Sequence, residues 1–181
     1  MIDRAWRKWE VAGLFFVLLW GNLFHFVFDW SGENELVGAI AAVNESVWEH
    51  LKLLIVPWVL WSAVEALAMR RIRIRVLAPR AAALLAGVLC IPAAYYTYVG
   101  SSGANVAILN IIIFQLAVLL AFFISWRLLD NGRLQGAIWS VLGGAVLLTL
   151  LGLAVYWTYS PPEIPLFTDS QTGQTGIVNE L

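Results

Sequence analysis

Val106 to Trp126 reads VAILNIIIFQLAVLLAFFISW, 21 residues without one Asp, Glu, Lys or Arg. At 1.5 Å per residue such a helix is about 31 Å long, which matches a hydrocarbon core about 30 Å thick. A strand of a membrane barrel would alternate apolar and polar residues with period two. The run Ile108-Leu109-Asn110-Ile111-Ile112-Ile113-Phe114 does not alternate in that way. A segment apolar on every side belongs inside a bilayer or a large core. A chain of 181 residues has no core of that size, so the bilayer is the expected solvent.

Four further stretches read alike: Val11 to Phe28, Leu51 to Met69, Ala81 to Gly100 and Gly136 to Thr158. Only the second carries charges, Lys52 near one end and Glu65 near the other. The expected fold is therefore all-α, an integral membrane bundle of five transmembrane helices. Residues 1–160 form its transmembrane domain, and residues 161–181 a polar tail behind Pro161-Pro162, which cannot continue a helix. Composition agrees: 61% of residues are apolar and 13% charged, where a soluble domain has about 25% charged. Ten Trp, nine Phe and five Tyr exclude a disordered chain. A net charge of −1 gives no footprint for nucleic acid, and the single Cys90 forbids an internal disulfide or a multi-cysteine zinc site. Short links, Gly100 to Asn105 and Asp130-Asn131-Gly132, make neighbouring spans antiparallel.

Basic residues set the orientation, because cytoplasmic loops are enriched in them. Arg4, Arg7 and Lys8, then Arg70, Arg71, Arg73, Arg75 and Arg80, then Arg127 and Arg133 all fall on one side, ten of eleven. Lys52 is the exception. The amino terminus is expected in the cytoplasm, the carboxyl terminus outside, and the chain in the plasma or inner membrane. The first span is long and lacks a clear small-residue cleavage site, so it reads as a retained anchor and not a signal peptide. The Arg70–Arg80 segment reads as a loop contacting anionic lipid headgroups.

Ionisable groups within a membrane are costly and face a bundle interior or water. Both histidines fall towards the outer side, His25 late in the first span and His50 at the start of the second. Asn22, His25 and Asp29 share an arc of roughly 60° on one helix. That stripe can bond to a neighbouring helix or contribute to a metal site. The segment Asn44-Glu45-Ser46-Val47-Trp48-Glu49-His50-Leu51-Lys52 is open to two readings. Ser46-x-x-Glu49 is a capping box for the second helix, which leaves His50 over. Alternatively His25, Asp29, Glu45 and His50 bind zinc or another divalent ion, with Glu49 and His50 as candidate catalytic residues. A bound ion can activate water to hydrolyse a lipid or headgroup ester or amide. The tyrosines Tyr95, Tyr96, Tyr98, Tyr156 and Tyr159 read as an interfacial belt.

No HExxH, GxSxG or Walker motif is present, so the enzyme question stays open at this stage. One alternative is a proton- or cation-coupled transporter of small solutes, in which the same histidines and acids relay protons, a reading that Glu65 and Gln115 deeper in the spans favour. Five spans then require an oligomer, because they cannot form two equal repeats. The other is a non-catalytic component of a membrane complex that offers its tail and Trp-rich faces to a partner.

The segment NESVWEHLK, together with His25, resembles a family of small bacterial multi-span membrane proteins of unknown function that carry Asn-Glu-Ser-x-Trp-Glu-His after the first helix. The tail from Pro161 to Phe167, followed by Asp169 and Thr172-Gly173, is similar to theirs. The resemblance implies no reaction, and it strengthens a site at Glu45, Glu49 and His50. More distantly, the chain is similar to membrane hydrolases of the alkaline ceramidase and progestin-adipoQ receptor type. Those have seven spans and hold zinc with three histidines near one membrane face. This chain has two histidines and five spans, so a carboxylate would replace the third imidazole. The tail itself reads either as a loose terminus or as a lid seated by Ile164, Leu166 and Phe167.

Overall fold

The structure is a computed structural model that describes residues 4–68 and 75–177. Among them the helices are α1 (Arg4–Trp30), α2 (Glu35–Gly38), α3 (Val47–Ala68), α4 (Leu77–Ser102), α5 (Ala107–Asp130) and α6 (Ala137–Tyr159), with a 3-10 turn at Pro165–Phe167. Five of these are long and apolar enough to cross a membrane. The five-span expectation holds. The helices nevertheless run past the charge-free stretches, α1 beginning before Glu10 and α3 at Val47. A charge ends an apolar run but does not end a helix when its side chain finds a partner inside the bundle.

α3 is the central element, packing against α1, α4 and α6. Its residues from Leu51 to Val59 are all buried. Around it Leu54, Leu84, Ala117, Val118 and Ala121 form the core. Gly143 lets α6 lie directly on the start of α4, since a Cβ there would collide with the backbone of Leu77 and Ala78. Phe15, Leu19, Leu89, Ile108, Leu116, Ile138 and Leu148 are exposed on the outside. Such a surface would aggregate in water and is solvated by lipid tails in a bilayer.

Antiparallel connections collect Arg7, Arg75, Arg127 and Arg133 at one end of the bundle, called here the basic end. Arg70, Arg71 and Arg73 lie outside the described residues. Arg80 corrects the headgroup expectation: it is completely buried. Its Nε donates to Glu65 Oε2 at 2.9 Å, its second guanidinium nitrogen also contacts that oxygen, and the same nitrogen lies 2.9 Å from Glu10 Oε1. Trp58 and Phe122 face the guanidinium, each centroid 5.1 Å away. Glu65 is therefore not the sole acid in this half, because the extended α1 brings Glu10 inside.

Candidate metal centre

The opposite end is built on α3. Lys52 is fully buried, and its ammonium has three donors and three acceptors: Glu49 Oε2 at 2.6 Å, the Gly38 carbonyl at 2.7 Å and the Thr158 hydroxyl at 2.7 Å. Glu49 Oε2 also accepts from the Val43 N–H at 3.0 Å. Lys52 escapes the charge rule because it pins the α1–α3 connection from within instead of facing a membrane surface. The expected capping box is half made. The Ser46 hydroxyl accepts the Glu49 N–H at 3.3 Å, but the Glu49 carboxylate reaches back to Val43, while the Ser46 N–H goes to Asn44 Oδ1 at 2.9 Å.

Pinning the connection presents Glu45 between two imidazoles. Glu45 precedes the helix, so its side chain departs from the face shared by Glu49 and Lys52. Its two carboxylate oxygens lie 3.4 Å from His25 Nε2 and 3.5 Å from His50 Nε2. The rings of His25 and His50 meet edge to face with centroids 5.4 Å apart. One ligand atom from each of the three residues falls within 4.8 Å of the others, a group that can hold a metal ion. His50 Nδ1 is 2.8 Å from the Ser46 carbonyl. A carbonyl only accepts, so Nδ1 carries a proton in that contact and Nε2 is the nitrogen turned towards Glu45. The polar contact with His25 holds the Glu45 carboxyl below the usual carboxylate range, aided by the charge of both imidazoles and opposed by burial and by Asp169. A small cavity of about 20 Å³, bordered by Glu45, His50, Tyr95 and Asn110, adjoins the group. That is room for about one water molecule.

The tail reaches this point as well. Phe167 is buried against Trp48 and Trp157, at centroid separations of 5.0 and 5.2 Å. Asp169 Oδ2 accepts the Glu45 N–H at 3.0 Å, and the Ser170 hydroxyl donates to the Glu45 carbonyl at 3.2 Å. Asp169 Oδ1 accepts from Gln171 and Thr172, at 2.6 and 2.9 Å. Asn44 bonds to the Gly176 carbonyl at 2.9 Å. Burial pushes the Asp169 carboxyl up, but these backbone donors outweigh it and hold the group below its ordinary value. Residues 161–177 thus pack on the bundle, with Phe167 and the half-buried Leu166 as seats and Ile164 exposed.

Of the sequence candidates, the structure brings together His25, Glu45 and His50. Asp29 is exposed and outside the group. Glu49 faces inward to Lys52. Asn22 follows the other reading of its stripe, a bond to a neighbouring helix: it accepts from Gln115 on α5 at 3.1 Å. Two of the tyrosines do more than belt the membrane: Tyr98 bonds Asn105 and Asn110, and Tyr159 bonds the Glu35 carbonyl at 2.7 Å. The part of Asp169 was missed, since its contact with Glu45 spans 124 positions of chain and leaves no local spacing to read.

Fold and site together define a multi-span membrane protein with a His/Glu/His group at one end of the bundle. The chain belongs to DUF6512, a family of unknown function, whose model matches residues 2–177. No curated protein and no solved structure matches it.

Proposed function

We propose that His25, Glu45 and His50 hold a divalent metal ion at the extracytoplasmic mouth of the bundle, and that the ion activates water to cleave an ester or amide in a lipid or its headgroup. The observation that carries this reading is the pair of imidazole nitrogens flanking one carboxylate, with the far nitrogen of His50 tied to a carbonyl. The two histidine–glutamate separations, 3.4 and 3.5 Å, run to different oxygens of the carboxylate, and one donor atom from each residue lies within 4.8 Å of the others, close enough for small side-chain adjustments to bring all three onto bonds of about 2.0–2.2 Å. Two imidazoles and a carboxylate form a donor set for zinc that leaves one position for water. An ion held by these three residues would supply Lewis acidity, lowering the pKa of a bound water towards about 7 for attack on a carbonyl carbon. The group is open to the outside of the bundle, His25 and Glu45 each being about one-third exposed. Glu49 serves as a positioning residue, holding the connection that carries Glu45, and Asp169 holds the same residue from the tail.

Untagged protein, purified in detergent, loaded with zinc and desalted, is expected to retain about one ion per chain. His25→Ala and His50→Ala are expected to reduce this to background. Wild-type protein that retains no more zinc than the variants refutes the metal centre. Retained zinc without zinc-dependent release of acyl chain or headgroup from mixed lipids refutes the hydrolytic step.

A further inference from the structure

At the basic end Glu10 from α1, Glu65 from α3 and Arg80 from α4 meet in the interior, with Ser125 from α5 donating to Glu10 Oε1 at 3.2 Å. Arginine stays protonated in proteins, and the faces of Trp58 and Phe122 favour its charge. Two ionised carboxylates against one guanidinium would leave an uncompensated negative charge in a low-dielectric interior, which is strongly unfavourable. Among the described residues no second cation reaches the carboxylates. Arg7 on α1 faces outward to Asp130 at 4.0 Å and to Trp126, and α6 carries no charged residue. Glu10 Oε2, Glu65 Oε1 and Arg80 Nη1 are all buried without a hydrogen-bond partner among the described residues.

The two acids are not equivalent. Glu65 has no exposed surface, and one of its oxygens receives two guanidinium nitrogens. Glu10 shares a single guanidinium nitrogen and borders a cleft of about 420 Å³ between α1 and α5, lined also by Arg7, Leu14, Leu119, Phe123 and Trp126. We propose that the Glu10–Glu65–Arg80 cluster is a proton-binding site in which Glu10 carries the proton and exchanges it by way of the cleft its side chain borders. The ligand is a proton delivered by water. Glu10 alternates between a neutral acid, which balances the cluster, and a carboxylate, which overloads it. This site lies at the other end of the bundle from the histidines and does not depend on the metal reading.

Infrared spectroscopy of the full chain in detergent at neutral pH, with Glu10→Gln and Glu65→Gln, tests the site. The wild type is expected to show a protonated-carboxyl C=O band that shifts in D2O and is missing from Glu10→Gln. Glutamine mimics the neutral acid, so Glu10→Gln is expected to fold and melt as the wild type does, whereas Glu65→Gln melts lower because Arg80 loses its main acceptor. A band unchanged by Glu10→Gln overturns the proposal, as does a Glu10→Gln protein that fails to fold. Equal or reversed melting of the two variants overturns the assignment of the proton to Glu10.

Discussion

Two buried ion clusters, one near each end of the bundle, are built on opposite plans. Glu49 and Lys52 are one acid and one base, and the ammonium has an acceptor for every donor. Glu10, Glu65 and Arg80 are two acids and one base, each with an atom that has no partner among the described residues. Burying ions costs several kcal/mol apiece, recovered only when geometry and remaining hydrogen bonds are complete. A complete cluster holds one protonation state and works as a rivet, here on the connection that presents Glu45. An incomplete one is poised to change state.

The rivet gives the largest expected effect. Lys52→Met leaves the Glu49 carboxylate buried beside an alkyl chain and is expected to cost about 3–5 kcal/mol, read from thermal or denaturant unfolding in detergent. Adding Glu49→Gln removes the stranded charge, so the double variant should recover most of that loss. If the double variant is no better than Lys52→Met alone, the pair is not the unit that holds the connection.

A smaller effect is expected at the tail. Asp169→Ala removes acceptors for the N–H groups of Glu45, Gln171 and Thr172 and should cost about 1–3 kcal/mol. Faster cleavage after residue 160 by an added protease would report it, together with weaker zinc retention if Glu45 loses its place. The same carboxylate sets a pH dependence. Its folded pKa lies below the ordinary aspartate value, so its contribution is complete above the unfolded value and is lost as pH falls through the folded one. Protease sensitivity of the tail should therefore rise in acid, below about pH 4, and Asp169→Asn should flatten that rise. Zinc retention should also fall in acid, because protons compete with the ion for the imidazoles and the carboxylate.

The smallest effect sharpens the contrast between the clusters. Glu10→Gln should change stability by less than about 1 kcal/mol, an ordinary cost for a substitution that strands no charge. The same isosteric change in the complete cluster, Glu49→Gln alone, should cost more, because it leaves the Lys52 ammonium without its anion. Melting curves of the two variants side by side decide this, and equal losses would erase the distinction between rivet and poised cluster.

Of the three residues that meet, Glu45 and His50 lie in NESVWEHLK and His25 lies on α1. The two imidazole–carboxylate contacts involve His25, Glu45 and His50, and all three stood among the candidates. Asp29 was drawn in by its place one turn after His25, which fixes a helical face but not how far the partner helix extends. The neighbours of Glu49 in sequence do not show that its carboxylate turns inward to Lys52, nor that Lys52 is buried away from the membrane surface. Arg80 was counted with the loop arginines, since nothing local separates a buried arginine from an exposed one beside it.

The sequence by itself determined the five spans and the gathering of basic residues at one end. Transfer into hydrocarbon is a sum over the residues of one segment, and a segment carries that sum wherever its neighbours lie. Only the tertiary structure decided which ionisable groups meet. An ion pair or a metal ligand set is a matter of a few ångströms between side chains on different helices, and those distances exist only once α3 has chosen its neighbours.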